Sequence, residues 1–147
     1  MKKKKIQCLI AMVFILSFES MGLKAQNSTM VFTNFKASTK IDAGNPQHTI
    51  LELSFKSATW NNRNILKIQL GTQPALGNLS TQIATISENE SQIFIFLSNG
   101  KKFLIQDNQA VLEIPIGDKE KQLLKYVTIS SLSQGGNTSN KVSAAVQ

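Results

Sequence analysis

Cysteine, histidine and proline are scarce in this 147-residue chain, and each scarcity closes off a class of chemistry or structure. The one cysteine, Cys8, lies in the first 25 residues, so the remainder has no thiol for a disulfide, a nucleophile or a metal site. Stability must then come from packing and strand pairing. The single histidine, His48, follows Gln47 with no nucleophile or orienting acid in a triad-like pattern, and it reads as a surface residue rather than a general base. The turns at Asp107 and Asp118 lack the spaced oxygen ligands that calcium requires. Glu88 and Glu90 flank Asn89 in a turn, where charged side chains are ordinarily solvated, so a catalytic carboxylate pair is the weakest of the readings weighed. Sustained helical periodicity is also missing: the best candidate, Asp118 to Lys125, spans barely two turns. The chain is therefore read as a non-enzyme with no cofactor and no metal.

The start of the chain reads as an address. Lys2 to Lys5 form a basic head, Ile6 to Phe18 an apolar stretch interrupted by Gln7, and Leu23-Lys24-Ala25 a cleavage site ahead of Gln26. The apolar run falls short of the roughly 18 to 20 residues that a membrane span needs, and Glu19 closes it. Residues 1–25 are thus expected to be a signal peptide directing export to the periplasm or the medium, with no membrane span after cleavage. Cys8 lies at the start of the apolar run rather than after it, the wrong place for a lipidated residue, and the lysine-rich head resembles bacterial signals. Removing it takes away five lysines and Glu19, leaving eleven basic against eight acidic residues and a charge of +3 rather than +7. The remaining lysines are scattered, which counts against nucleic acid as a partner. Residues 26–147 fit a single domain able to bury about two-thirds of its unfolded surface.

That domain reads as strands. A first strand is expected over Ser28 to Ser38 and a turn cluster over Lys40 to Gln47. From His48 to Lys56 alternation places Thr49, Leu51, Leu53 and Phe55 inward, and Leu66, Ile68 and Leu70 alternate with Lys67 and Gln69. A short edge strand is expected near Gln82 to Ile86. Gln92 to Gln106 carries two β-branched and aromatic runs around Asn99-Gly100, a dipeptide suited to a two-residue type I′ turn. That turn would pair Phe96 with Phe103 and Ile95 with Leu104, gathering Phe94, Phe96, Phe103 and Ile105 on one face. Neither face of this hairpin looks fully solvated. Ala110, Leu112, Ile114 and Ile116 point inward, with Pro115 outward and its strand expected to have a free edge there. Leu123 to Leu132 and Ser139 to Val146 complete an all-β, antiparallel sandwich of about seven to nine strands.

The final third, with Ala110-Val-Leu-Glu-Ile-Pro-Ile116, Lys125-Tyr-Val-Thr-Ile-Ser-Ser-Leu-Ser133 and Gln134-Gly-Gly-Asn-Thr-Ser-Asn140, resembles the last three strands of a bacterial fibronectin type III domain. The family's corner tyrosine would fall at Lys125, one place before Tyr126, and Phe55 stands where the family usually has tryptophan in its second strand. A related immunoglobulin-like sandwich is equally acceptable. The resemblance implies that the loop after the second strand shares an end with the loop before the last. Trp60, Asn61, Asn62 and Arg63 would then neighbour Asn137, forming an aromatic platform with amides and a guanidinium suited to carbohydrate or peptide. The alternative for Trp60 is a plug that folds back onto the core. A small exported binding or structural module is the leading expectation. The rivals are an assembly subunit acting through strand addition by the hairpin or the final strand, and a hydrolase using Glu88 and Glu90. Asn27, Asn78, Asn89 and Asn137 head Asn-x-Ser/Thr triplets that matter only in a glycosylating host.

Overall fold

The computed structural model describes residues 29–147; the expected signal peptide, residues 1–25, lies outside them. Nine strands form two antiparallel sheets packed face to face: β1 (Phe32–Asp42), β2 (Asn45–Ser57), β3 (Ile65–Gly71), β4 (Ser80–Asn89), β5 (Gln92–Leu97), β6 (Lys102–Leu104), β7 (Gln109–Ile116), β8 (Tyr126–Leu132) and β9 (Val142–Ala145). Among the described residues one helix, α1 (Asp118–Leu123), joins β7 to β8. The smaller sheet has the order β1-β2-β7, the larger β6-β5-β4-β3-β8-β9. The all-β sandwich is therefore the fold.

Alternation makes the core. Leu51, Leu53 and Phe55 of β2 and Ala110, Leu112, Ile114 and Ile116 of β7 meet Leu66, Ile68 and Leu70 of β3 and Val127 and Ile129 of β8, all buried. Each is separated from the next by one residue turned to the other face, so a single register satisfies the whole strand. Phe55 is fully buried and carries an aromatic cluster: Phe32 at 5.6 Å, Phe35 at 6.2 Å and Trp60 at 5.9 Å between ring centroids. Phe32 and Phe35 reach it together because β1 has a bulge between Thr33 and Lys36, where Asn34 takes φ 53°. Three residues apart in a regular strand they would face opposite ways; the extra residue turns both inward.

Four expectations need correction. The first strand starts at Phe32 rather than Ser28 and runs on to Asp42, so the turn before β2 shrinks to Ala43-Gly44, with Asp42 Oδ1 accepting the Gly44 N–H at 2.9 Å. β4 is no edge strand, since β5 pairs along its far side. The hairpin at Asn99-Gly100 has a three-residue loop: Leu97 N–H donates to Lys101 O, and of the two central residues Gly100 alone takes positive φ, at 82°. Pairing thus slips by one, to Ile95 with Phe103 and Phe96 with Lys102. Packing decides this, because the slipped register gathers Ile93, Ile95, Leu97, Phe103 and Ile105 against the core and leaves Phe94 and Phe96 outside. The positive-φ pairs expected of two-residue turns occur instead at Glu90-Ser91 and Asp107-Asn108. Finally, the helix candidate ends early, at Leu123, after Glu120 Oε2 accepts the Gly117 N–H at 2.9 Å.

The two sheets are joined along both sides. The chain passes from β6 to β7 through the tight Asp107-Asn108 turn, and the end of the chain pairs with β1 by a parallel bridge, Ala37 with Val146. β7 is the open edge of the smaller sheet, and Pro115 sits on it as expected. Tyr126 is half-buried beside the inward Val127, on the outer face. There the loop 72–79 folds over the larger sheet, with Ala75 N–H donating to Thr128 Oγ1 at 2.9 Å.

On the outer face of the smaller sheet Glu52 and Glu113 stand directly opposite each other. Like charges so placed repel, and Lys40 Nζ bridges them at 2.6 and 2.5 Å. Hydrogen bonds to Glu113 and then Glu52 raise the Lys40 ammonium above its ordinary 10.5. The stabilisation is therefore complete at neutral pH and is lost only as pH rises through the raised value. Lys40→Ala is expected to lower the melting temperature, and adding Glu113→Gln to restore part of it; equal losses in both variants at pH 7 would show that the bridge does not offset the repulsion. Phe55→Ala is expected to cost about 3–5 kcal/mol in urea unfolding.

Candidate end-loop site

The register sets the geometry of the candidate site. Ile65, the first residue of β3, pairs with Leu132, the last of β8, so the loop 58–64 and the turn after β8 leave the larger sheet at the same end. Each is held by its own hydrogen bonds. In the first loop Asn61 Oδ1 accepts the Arg63 N–H at 2.9 Å and the Asn61 carbonyl accepts the Asn64 N–H at 3.0 Å, an Asx turn that projects Asn62 and Arg63 into solvent. Ser57 Oγ donates to the Thr59 carbonyl at 2.8 Å, anchoring the loop to the end of β2.

In the second turn Ser133 is the anchor. Its N–H donates to the Asn137 carbonyl at 2.9 Å, and its Oγ accepts the Asn137 N–H at 3.1 Å. Gly136 takes φ 80°, the left-handed position that a side chain would strain, and Asn137 stands exposed. Just beyond, Asn140 clasps the start of β1: its Oδ1 accepts the Phe32 N–H at 3.1 Å and its Nδ2 donates to the Phe32 carbonyl at 3.3 Å.

Trp60 packs onto the aromatic cluster, as the plug expectation had it. The indole is half-buried and tilted 41° against Phe55, while its Nε1 is buried without a protein partner. Asn64 beside it is buried too, with both carboxamide atoms unpartnered. The ring is thus core packing on one side and accessible on the other. Asn61 is half-buried, and Asn62, Arg63 and Asn137 are exposed. The five residues share one end of the sandwich, and a hydrogen bond ties Arg63 to Asn61 within the set.

No family model, curated protein or solved structure matches this chain. Its chemistry must be read from its own side chains. Glu88 and Glu90 are exposed, and Glu90 takes φ 48° in the β4–β5 turn. His48 is exposed, with Nε2 3.4 Å from Asn45 Nδ2. Among the described residues no three His, Cys, Asp or Glu side chains converge as metal ligands, and no helix is long and apolar enough to cross a membrane.

The pattern did not assign a site to the outer face of the hairpin. Phe94 and Phe96 stand half-buried there, 6.4 Å apart, with the Lys102 ammonium 3.7 Å from the Phe94 centroid. The signal was an antiparallel strand apolar on both faces, where one face is ordinarily solvated. Because Trp60 caps the aromatic cluster, Trp60→Ala is expected to destabilise the fold by about 2 kcal/mol, less than for a fully buried aromatic, measured by thermal melting.

Proposed function

We propose that this chain is an exported, non-catalytic sandwich module of immunoglobulin-like plan that binds an extended peptide or a carbohydrate at its loop end. Support for the plan comes from strand order: β1-β2-β7 against β9-β8-β3-β4 corresponds to the strands A-B-E and G-F-C-C′ of variable-type domains, with β5 and β6 extending the larger sheet. A fibronectin type III assignment fits less well, since that plan has fewer strands and the half-buried Tyr126 sits on the outer face.

The observation that carries the binding reading is the half-exposed indole of Trp60 beside two hydrogen-bonded turns that hold Asn62, Arg63 and Asn137 in solvent. An aromatic face supplies contact area at low entropic cost, and fixed amides and a guanidinium supply orientation. Strand addition is the weaker rival. β6 offers only three residues, the end of the chain is engaged by β1, and Pro115 interrupts the donors along β7.

The test is titration of the mature protein with soluble oligosaccharides and extended peptides, followed by NMR shift mapping. Shifts are expected to cluster at 60–63 and 137, and Arg63→Ala with Asn137→Ala to weaken binding about tenfold with an unchanged melting temperature. If Trp60→Ala lowers stability yet leaves every ligand's affinity intact, the indole is a plug alone and the reading fails.

A further inference from the structure

The outer faces of the two sheets are dressed differently. Outward positions of the smaller sheet carry Lys36, Lys40, Glu52, Lys56 and Glu113, an ordinary solvated mixture of charge. Among the described residues, no strand of the larger sheet turns a carboxylate outward. Glu88, the one acid on its strands, pairs with the core-packed Ile93 and so belongs to the inner side. Its cations are Lys67 and Lys102.

Apolar side chains occupy the upper half of this face. The ladder aligns Leu132, Ile65, Thr85, Phe96 and Lys102 in one cross-strand row, with Ile83 beside Lys67 below it and Phe94 opposite Leu104 above. Ile65, Ile83, Leu104 and Leu132 are each 37–45% exposed. The loop 72–79 folds over the lower end of the same sheet through the bond from Ala75 to Thr128. At the upper end the Lys102 ammonium lies over the rings, 3.7 Å from Phe94 and 5.7 Å from Phe96.

We propose that this half-face docks an acidic polypeptide partner, one that sets carboxylates beside apolar side chains. Charge selects that occupant. A flat row of Ile, Phe and Leu is buried favourably by apolar side chains. Lys102 ends the row and Lys67 lies next to it, so both would lose water on docking, which carboxylates on the partner offset. The ring face holds Lys102 in place beforehand, so little side-chain freedom remains to be lost. A second copy of this chain is a poor fit: the same face would bring lysine to lysine, and Glu52 and Glu113 on the other sheet are already engaged by Lys40. This surface is additional to the loop end and does not depend on ligand binding there.

The experiment uses the mature protein with a random glutamate–tyrosine copolymer as probe, beside poly-glutamate, heparin and phosphatidylglycerol vesicles, read by biolayer interferometry and NMR shift mapping. The copolymer is expected to bind at least about tenfold tighter than poly-glutamate, and Ile83→Ser and Lys102→Glu each to weaken it about tenfold. Both positions are exposed enough to be replaced without unfolding, which the melting curve checks. Lys56→Glu on the other sheet is expected to change binding less than about twofold. Absence of copolymer binding overturns the proposal, as does binding that survives both face variants or is lost with Lys56→Glu. A stronger shift of the same residues by heparin or vesicles also overturns it.

Discussion

The contact on which both layers depend is the aromatic cluster around Phe55. Phe32 and Phe35 approach it edge-on from β1, Trp60 closes it from the loop, and Ala110 lies opposite on β7. With no disulfide available beyond residue 25, large rings in edge-to-face packing fix where β1 lies and where the β2–β3 loop turns. The bulge at Asn34 is a consequence: a left-handed residue is tolerated because it places two rings on one buried group. The end loop is positioned by the same contact. Its turn begins one residue after a ring that is already committed to the core, so Asn62 and Arg63 inherit their direction from Trp60.

The sandwich treats its two outer faces as different environments. On the smaller sheet, opposed glutamates are reconciled by one lysine, and every outward strand carries charge. On the larger sheet hydroxyls and apolar side chains replace the carboxylates, and among the described residues the loop 72–79 covers its lower end. The contrast arises in the hairpin. Its strands are apolar at both parities, so whichever parity fills the core leaves apolar side chains outside, here Phe94 and Phe96.

Legibility in the sequence follows the same distinction. Where a strand alternates apolar and polar residues, as in Leu51–Phe55, Leu66–Leu70 and Ala110–Ile116, parity alone fixes the buried set, and the core was readable. Between Gln92 and Gln106 parity carries no information, because Phe94 and Ile95 are equally apolar. The turn dipeptide then suggested one register while Phe103 and Ile105 settled another by packing inward. The bulge in β1 and the interior position of β4 were hidden for a related reason, since both depend on partners distant in sequence. At the end loop, the exposed amides were legible as turn residues, but the burial of one side of Trp60 required knowing that Phe55 lay beneath it.

Pro115 has a consequence beyond its own strand. The open side of β7 is the longest unpaired stretch of backbone that the smaller layer presents, and such a stretch is a template on which unfolded neighbours can stack into fibrils. A residue without an N–H, between the charged Glu113 and the end of the strand, breaks the run of donors that stacking requires. With no disulfide to lock its strands beyond residue 25, the fold thereby keeps this border from nucleating aggregates.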